Sequence, residues 1–121
     1  MSHIFLVDDD QYVQYTLRKI LVKAGHTVVC FDNGRQALDQ LWMKPPDLVI
    51  TDVVMPELGG LEMLTQFRTF NSATPVLVVS AGSASLSVDF KELAANSGAN
   101  GVLFKPFDKA TFLACVAELL H

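Results

Sequence analysis

The residues most able to do chemistry in this chain are Asp8, Asp9, Asp52, Ser80 and Lys105, which stand at or just after the ends of short apolar runs. Three carboxylates held close together repel one another and need a counter-charge. A hard divalent cation such as Mg²⁺ suits oxygen ligands of this kind. Together, a carboxylate nucleophile, Mg²⁺, an ammonium group and a hydroxyl group are the parts needed to receive a phosphoryl group. In that chemistry Asp52 would carry the acyl phosphate.

Asp52 is the best candidate for the nucleophile because of the stretch that contains it. Residues 48–50 are a continuous apolar run, which is typical of a strand in a parallel sheet that is covered on both faces. Met55-Pro56 ends the stretch, since proline has no N–H for a strand ladder. Asp52 is therefore predicted at the carboxyl end of a central strand, where open α/β sheets place their ligand sites.

Strands and helices alternate along the rest of the chain. Apolar runs predict strands at residues 4–7, 27–31, 48–52, 76–79 and 101–104. Apolar stripes with helical spacing predict helices at 11–24, between Asn33 and Pro45, from Gly59-Gly60 onward, at 84–97 and after Asp108. Asp10, Asn33 and Asp108 are the predicted N-caps. The helix that follows Asn33 is predicted to carry Ala37, Leu38, Leu41 and Trp42 on one side.

This alternation predicts an α/β fold with a doubly wound, five-stranded parallel sheet and helices on both faces, of the flavodoxin-like type. Strands one, three, four and five must be neighbours if their polar ends are to share one crevice. The strand order 2-1-3-4-5 satisfies this requirement. Residues 1–121 are accordingly predicted to form one domain.

Composition narrows the function further. The net charge of −4 argues against direct binding to nucleic acid or to an acidic membrane surface. No apolar run reaches membrane-spanning length, and no signal peptide precedes the first strand. Cys30 and Cys115 lack the spacing of a metal or redox motif, so both are predicted to be reduced. A cytoplasmic protein is expected from these features.

Each of the strand-end residues, taken singly, also has a purely structural interpretation. Asp8 or Asp9 can cap the first helix, Ser80 can bond its own loop, and Lys105 can be a solvated charge. Their joint placement at the ends of strands that share one edge favours a reactive site over these separate explanations.

Considered together, these residues resemble the receiver domain of two-component response regulators, of the chemotaxis-regulator type, over nearly the whole chain. The matching marks are Asp8-Asp9, Asp52 with Met55-Pro56 and Gly60, Ser80-Ala81, Gly98-Ala99, and Lys105-Pro106-Phe107. The resemblance implies that Asp52 accepts a phosphoryl group from a phosphohistidine on a sensor histidine kinase or phosphotransfer protein. It implies a signalling domain that is not itself an enzyme and that switches binding to a downstream protein or an attached output domain.

The resemblance also implies individual roles. Asp9, Asp52 and the backbone carbonyl of Val54 would bind Mg²⁺ directly, and Asp8 would act mainly through a bound water. Lys105 and Ser80 would bind the phosphoryl oxygens. The bond between Lys105 and Pro106 is usually cis in the family, and an X–Pro bond makes that form accessible in energy.

Two features depart from the family pattern. Val102 stands three residues before Lys105, where the family usually has an aromatic residue, and Phe104 is predicted to share its strand face. Ser80 and Lys105 are 25 positions apart (105 − 80), a few more than is usual. The extra residues are small and polar, so residues 81–90 are predicted to change most on phosphorylation.

Three other functions remain to be weighed against this one. A receiver-like interaction module that needs no phosphate is compatible with Val102 but not favoured by the intact acidic set. A phosphatase with an aspartate nucleophile would want a second acid two residues after it, where this chain has Val54. A flavin-binding protein of the same fold would want a phosphate-binding loop after strand one, where Asp8-Asp9-Asp10 would repel a phosphate.

Overall fold

A computed structural model of the chain describes residues 2–53, 55, 57–80 and 87–121, with the backbone alone at 87–89. The strands are β1 (His3–Val7), β2 (Thr27–Phe31), β3 (Leu48–Asp52), β4 (Val76–Ser80) and β5 (Gly101–Phe104). The helices are α1 (Gln11–Lys23), α2 (Gly34–Met43), α3 (Gly60–Arg68), α4 (Ser87–Asn96) and α5 (Lys109–Leu119). The predicted alternation of strands and helices is confirmed. The predicted start of the fourth helix at residue 84 lies outside the described residues, as does most of segment 81–90.

The five strands form one parallel sheet in the order β2-β1-β3-β4-β5, as predicted. The register aligns the strand ends closely. Val7 pairs with Thr51, Asp52 with Val79, and Ser80 with Phe104. Residues just beyond these pairs therefore emerge along a single edge of the sheet.

Each face of the sheet packs on its own set of helices, because successive side chains of a strand point to opposite sides. On one face, α1 and α5 bury Leu21 and Phe112 against the sheet. On the other face, α2 and α3 bury Leu41 and Phe67. None of the helices within the described part of the chain combines the length and the apolar character needed to cross a bilayer.

Three helices begin where the sequence predicts them to begin. The side chain of Asp10 accepts hydrogen bonds from the first turn of α1, that of Asn33 from Gln36, and that of Asp108 from Thr111. Each satisfies a backbone N–H that has no partner inside its helix. The caps fix the points at which the chain leaves the strand ends and turns into the helices.

The prediction for Trp42 is wrong. Trp42 is 69% exposed, and its ring meets the ring of Phe70 edge to face, with 4.6 Å between the ring centroids. Leu41, the residue before it, is fully buried against the sheet. The helical stripe of α2 is therefore narrower than the run of apolar residues in the sequence suggests.

Candidate functional site

The predicted acidic residues converge at the carboxyl edge of the sheet. Asp8, Asp9 and Asp52 each bring a carboxylate oxygen into a group whose members all lie within 4.8 Å of one another. Asp8 follows β1 and Asp52 ends β3, and these strands are neighbours, so their ends meet. Asp8 is only 2% exposed, whereas Asp9 is exposed to solvent. The site is thus a buried carboxylate with a solvent-facing one on its open side.

Lys105 provides the positive charge within this group. Its Nζ lies 3.7 Å from Oδ2 of Asp8 and 3.9 Å from Oδ2 of Asp52. Its backbone N–H donates to the carbonyl of Ser80 at 2.8 Å, which fixes the end of β5 against the end of β4. Among the described residues, one ammonium group stands against three carboxylates, which leaves an excess of negative charge at the edge of the sheet.

The surroundings of Asp8 disfavour its charged form. Burial raises the pKa of its carboxyl group above the ordinary value of 3.8. The N–H of Asp10 opposes the rise by donating to Oδ1 of Asp8 at 2.9 Å, and Lys105 opposes it as well, while Asp52 and Asp9 add to it. Since the charged form of a buried carboxyl group is disfavoured, the site gains stability from any cation that pairs with it.

The loop after β1 presents its three aspartates differently. The N–H of Asp8 continues the strand by donating to the carbonyl of Phe31 at 3.0 Å. Asp10 accepts from the N–H groups of Tyr12 and Val13, so the cap of α1 is Asp10. Asp8 and Asp9 are therefore not needed to cap the helix and remain available to the site.

Asp52 uses its two oxygens for different contacts. Oδ1 accepts from the N–H of Val53 at 2.8 Å, and Oδ2 is the oxygen nearest Lys105. The hydroxyl of the buried Thr51 donates to the carbonyl of Asp52 at 2.8 Å. Thr51 was not among the predicted site residues, although a hydroxyl in an apolar run directly before Asp52 distinguishes it in the sequence.

Gly60, the first residue of α3, packs against the backbone that follows β3. Its N–H donates to the carbonyl of Val53 at 2.8 Å. A Cβ built on Gly60 would stand 1.9 Å from the carbonyl oxygen of Asp52, so no other residue fits without displacing that backbone. The start of α3 thus packs directly on the backbone of Asp52 and restricts its position.

The remaining predicted site residues stand as follows. Ser80 ends β4 at the same edge, half-buried, and contacts the site's lysine through its carbonyl. Val54 lies outside the described residues. The peptide bond between Lys105 and Pro106 is cis. Asp8, Asp9, Asp52 and Lys105 are therefore brought together, with Ser80 beside them.

Val102, which stands where the family usually has an aromatic residue, packs against the same part of the core as the ring of Phe90. Val102 is half-buried, and Phe90 belongs to α4. The ring of Phe104 meets that of Phe90 edge to face, at 5.9 Å between centroids. Val102 and Phe104 therefore share one face of β5, as predicted.

The cluster of Asp8, Asp9 and Asp52 fits a hard divalent cation. The donors are all carboxylate oxygens, the type of ligand that Mg²⁺ prefers. Two oxygens bound to one Mg²⁺ lie no more than about 4.2 Å apart, since each is about 2.1 Å from the ion. The oxygens here are within 4.8 Å of one another, so small side-chain movements suffice.

Comparison with known proteins decides the family. A family model for the response regulator receiver domain matches residues 4–117. The chain belongs to the response regulator receiver domain family. It is a receiver domain of the two-component type, consistent with phosphorelay signalling, and the prediction made from its motifs is confirmed.

Relatives of this receiver domain include longer regulators. Response regulator MprA of Mycolicibacterium vanbaalenii is 38% identical over 118 residues, covering 98% of this chain and 50% of MprA. The DNA-binding transcriptional regulator NtrC of Escherichia coli K12 is 35% identical over 117 residues, covering 97% of this chain and 24% of NtrC. The chain spans about half the length of MprA and about a quarter of NtrC.

Solved structures give the same fold. The chemotaxis protein CheY4 of Vibrio cholerae matches with a TM-score of 0.88 and 28% identity, covering 98% of both chains. A putative response regulator of Chloroflexus aurantiacus matches with a TM-score of 0.89 and 30% identity, covering 98% of this chain and 97% of the other. The predicted flavodoxin-like architecture is confirmed.

Proposed function

We propose that this receiver domain, formed by residues 1–121, accepts a phosphoryl group on Asp52 in a Mg²⁺-dependent reaction. The donor is the phosphohistidine of a sensor histidine kinase or a phosphotransfer protein. The observation that carries the proposal is the position of the Asp52 carboxylate, within 4.8 Å of two other carboxylates and 3.9 Å from an ammonium group. A carboxylate in such a setting can react while its surroundings neutralise the incoming phosphoryl charge.

The proposed reacting atom is Oδ2 of Asp52, because Oδ1 is engaged by the N–H of Val53. As Oδ2 forms its bond to phosphorus, the bond from phosphorus to the donor imidazole breaks, and the imidazole keeps the electron pair. The ammonium group of Lys105 exchanges its ion pairs with the carboxylates for one with a phosphoryl oxygen, and the hydroxyl of Ser80 donates to another phosphoryl oxygen. Asp9, Asp52 and the Val54 carbonyl would hold Mg²⁺, with Asp8 acting through a bound water, and the ion would supply positive charge for the phosphoryl oxygens.

The donor has a surface to dock on next to the site. An apolar groove of about 340 Å³ runs between α1 and the segment after β5 and is bordered by Lys105. Val13, Leu17 and Phe107 line it. A donor protein bound there would lie next to Lys105, which contacts the carboxylates of Asp8 and Asp52.

Phosphorylation is proposed to switch the binding of a separate downstream protein or of an output domain attached to this one. Among the residues that the structure describes, Cys30 and Cys115 are free, which suits a reducing cytoplasm. The domain assists its own phosphorylation and dephosphorylation without acting on a separate substrate. A module that binds its partner without phosphate is the alternative, favoured only by Val102.

Intact-mass measurement tests the proposal. Acetyl phosphate with Mg²⁺ should add one phosphoryl group to the wild type and none to Asp52→Asn, because the amide is a poor nucleophile. An equal yield of phosphorylated protein in the variant would contradict the assignment of Asp52. Equal partner binding by phosphorylated and unphosphorylated wild type would instead favour the phosphate-independent module.

A further inference from the structure

The side chain of Gln14 holds the backbone of the acidic loop. Its Nε2 donates to the carbonyl of Asp8 at 2.8 Å and to that of Phe31 at 3.1 Å, and it lies 3.1 Å from Oδ1 of Asp32. Gln14 is half-buried in the first turns of α1. One amide thus ties together a helix, the end of β1 and the end of β2.

The bond to the Asp8 carbonyl bears directly on the acidic site. That carbonyl belongs to the peptide group joining Asp8 to Asp9, so its direction sets the orientation of one residue relative to the other. The N–H of Asp10 acts on the other part of Asp8 by donating to Oδ1 of its side chain. Gln14 therefore constrains the main chain of Asp8, while Asp10 constrains its carboxylate.

We infer that Gln14 is a positioning residue of the acidic site. By holding the Asp8 carbonyl, it keeps the Asp8 and Asp9 carboxylates at a separation that a divalent cation can bridge. This inference rests on the proposed Mg²⁺ site. Partners that orient metal ligands in this way contribute to metal affinity without touching the ion.

Gln11 provides a matched control three positions earlier. Among the described hydrogen bonds, its amide donates to Oδ1 of Asp32 at 2.9 Å and not to Asp8. Gln11→Met and Gln14→Met therefore remove the same chemical group beside Asp32, but only the second frees the Asp8 carbonyl.

The test is a titration of each metal-free protein with MgCl₂. The backbone amide chemical shifts of residues 8–10 report the binding. The Kd for Mg²⁺ should rise on the order of tenfold in Gln14→Met, since loss of an orienting partner has an effect of that size. In Gln11→Met it should stay within about twofold of the wild type, as for other surface changes. The melting temperature without Mg²⁺ serves as the measure of a merely structural effect, which would lower it while leaving Kd unchanged.

A second variant, Gln14→Glu, keeps the shape of the side chain but turns an oxygen toward the Asp8 carbonyl. Its added negative charge should by itself attract Mg²⁺, so weaker binding in this variant can only come from the displaced loop. A Kd within twofold of the wild type in Gln14→Met, or tighter binding in Gln14→Glu, would overturn the inference and leave the metal site standing. A wild-type protein that binds no Mg²⁺ would overturn both.

Discussion

Replacing Asp8 by asparagine should stabilise the metal-free domain. Asp8 is buried, and its carboxylate lies within 4.8 Å of those of Asp9 and Asp52. At an effective dielectric constant of about 20, two unit charges 4.8 Å apart repel by about 3.5 kcal/mol, and the pair with Lys105 at 3.7 Å attracts by about 4.5 kcal/mol. The repulsions of Asp8 from Asp9 and from Asp52 together exceed its attraction to Lys105 by about 2.5 kcal/mol. Because Asp9 is exposed and solvent screens its charge, the net repulsion is about 2 kcal/mol.

The effect should depend on pH in a definite direction. Burial raises the pKa of Asp8 in the folded protein, so its ionised form destabilises the folded state. The penalty is absent below the unfolded pKa, near 3.8, where Asp8 is protonated in both states. It grows as the pH rises from the unfolded pKa to the folded pKa and is complete above the folded pKa. Asp8→Asn should therefore be more stable than the wild type at pH 7 and equally stable in acid.

Urea and thermal unfolding without Mg²⁺ provide the measurement. A gain of about 2 kcal/mol corresponds to roughly 6–10 °C in a domain of this size. Asp39→Asn is the matched control, because it makes the same charge change on the exposed side of α2 and should shift stability by less than about 0.5 kcal/mol. Mg²⁺ at 100 times its Kd should stabilise the wild type by about 2.7 kcal/mol and reverse the order. An Asp8→Asn variant no more stable than the wild type without Mg²⁺ would refute the reasoning.

Two further substitutions test the site. Lys105→Ala should still accept a phosphoryl group, as measured by intact mass. Beryllofluoride should nevertheless produce no amide shift changes beyond the acidic loop in this variant, because the ammonium group that responds to the phosphoryl group is gone. Shift changes like those of the wild type would contradict the role of Lys105 in switching. Gly60→Ala should lower the free energy of unfolding by about 2–3 kcal/mol, since its Cβ would overlap the Asp52 carbonyl. Gly101→Ala, whose Cβ would meet side-chain atoms no closer than 3.4 Å, is the control, and equal losses in the two would rule out this close approach.

Much of the fold follows from local patterns in the sequence. The continuous run before Asp52 indicates a strand covered on both faces, and the caps at Asp10 and Asp108 bond to N–H groups two or three residues away. Such interactions depend on neighbours in the chain, so spacing alone predicts them. The strand order followed from requiring that the polar strand ends share one crevice.

Tertiary structure decided what depends on distant neighbours. Asp8 and Asp9 are adjacent and identical in type, yet one is buried and the other exposed, because the edge of the sheet covers only the first. The 3.7 Å approach of Lys105 to Asp8 joins strands that are not adjacent in the sheet. Gln14 reaches the Asp8 carbonyl only because α1 folds back beside β1 and β2. Residue types and spacing predicted that Lys105 shares an edge with Asp8, but not their separation. They do not indicate the burial of Asp8 or the bond from Gln14, since packing across the sheet creates both.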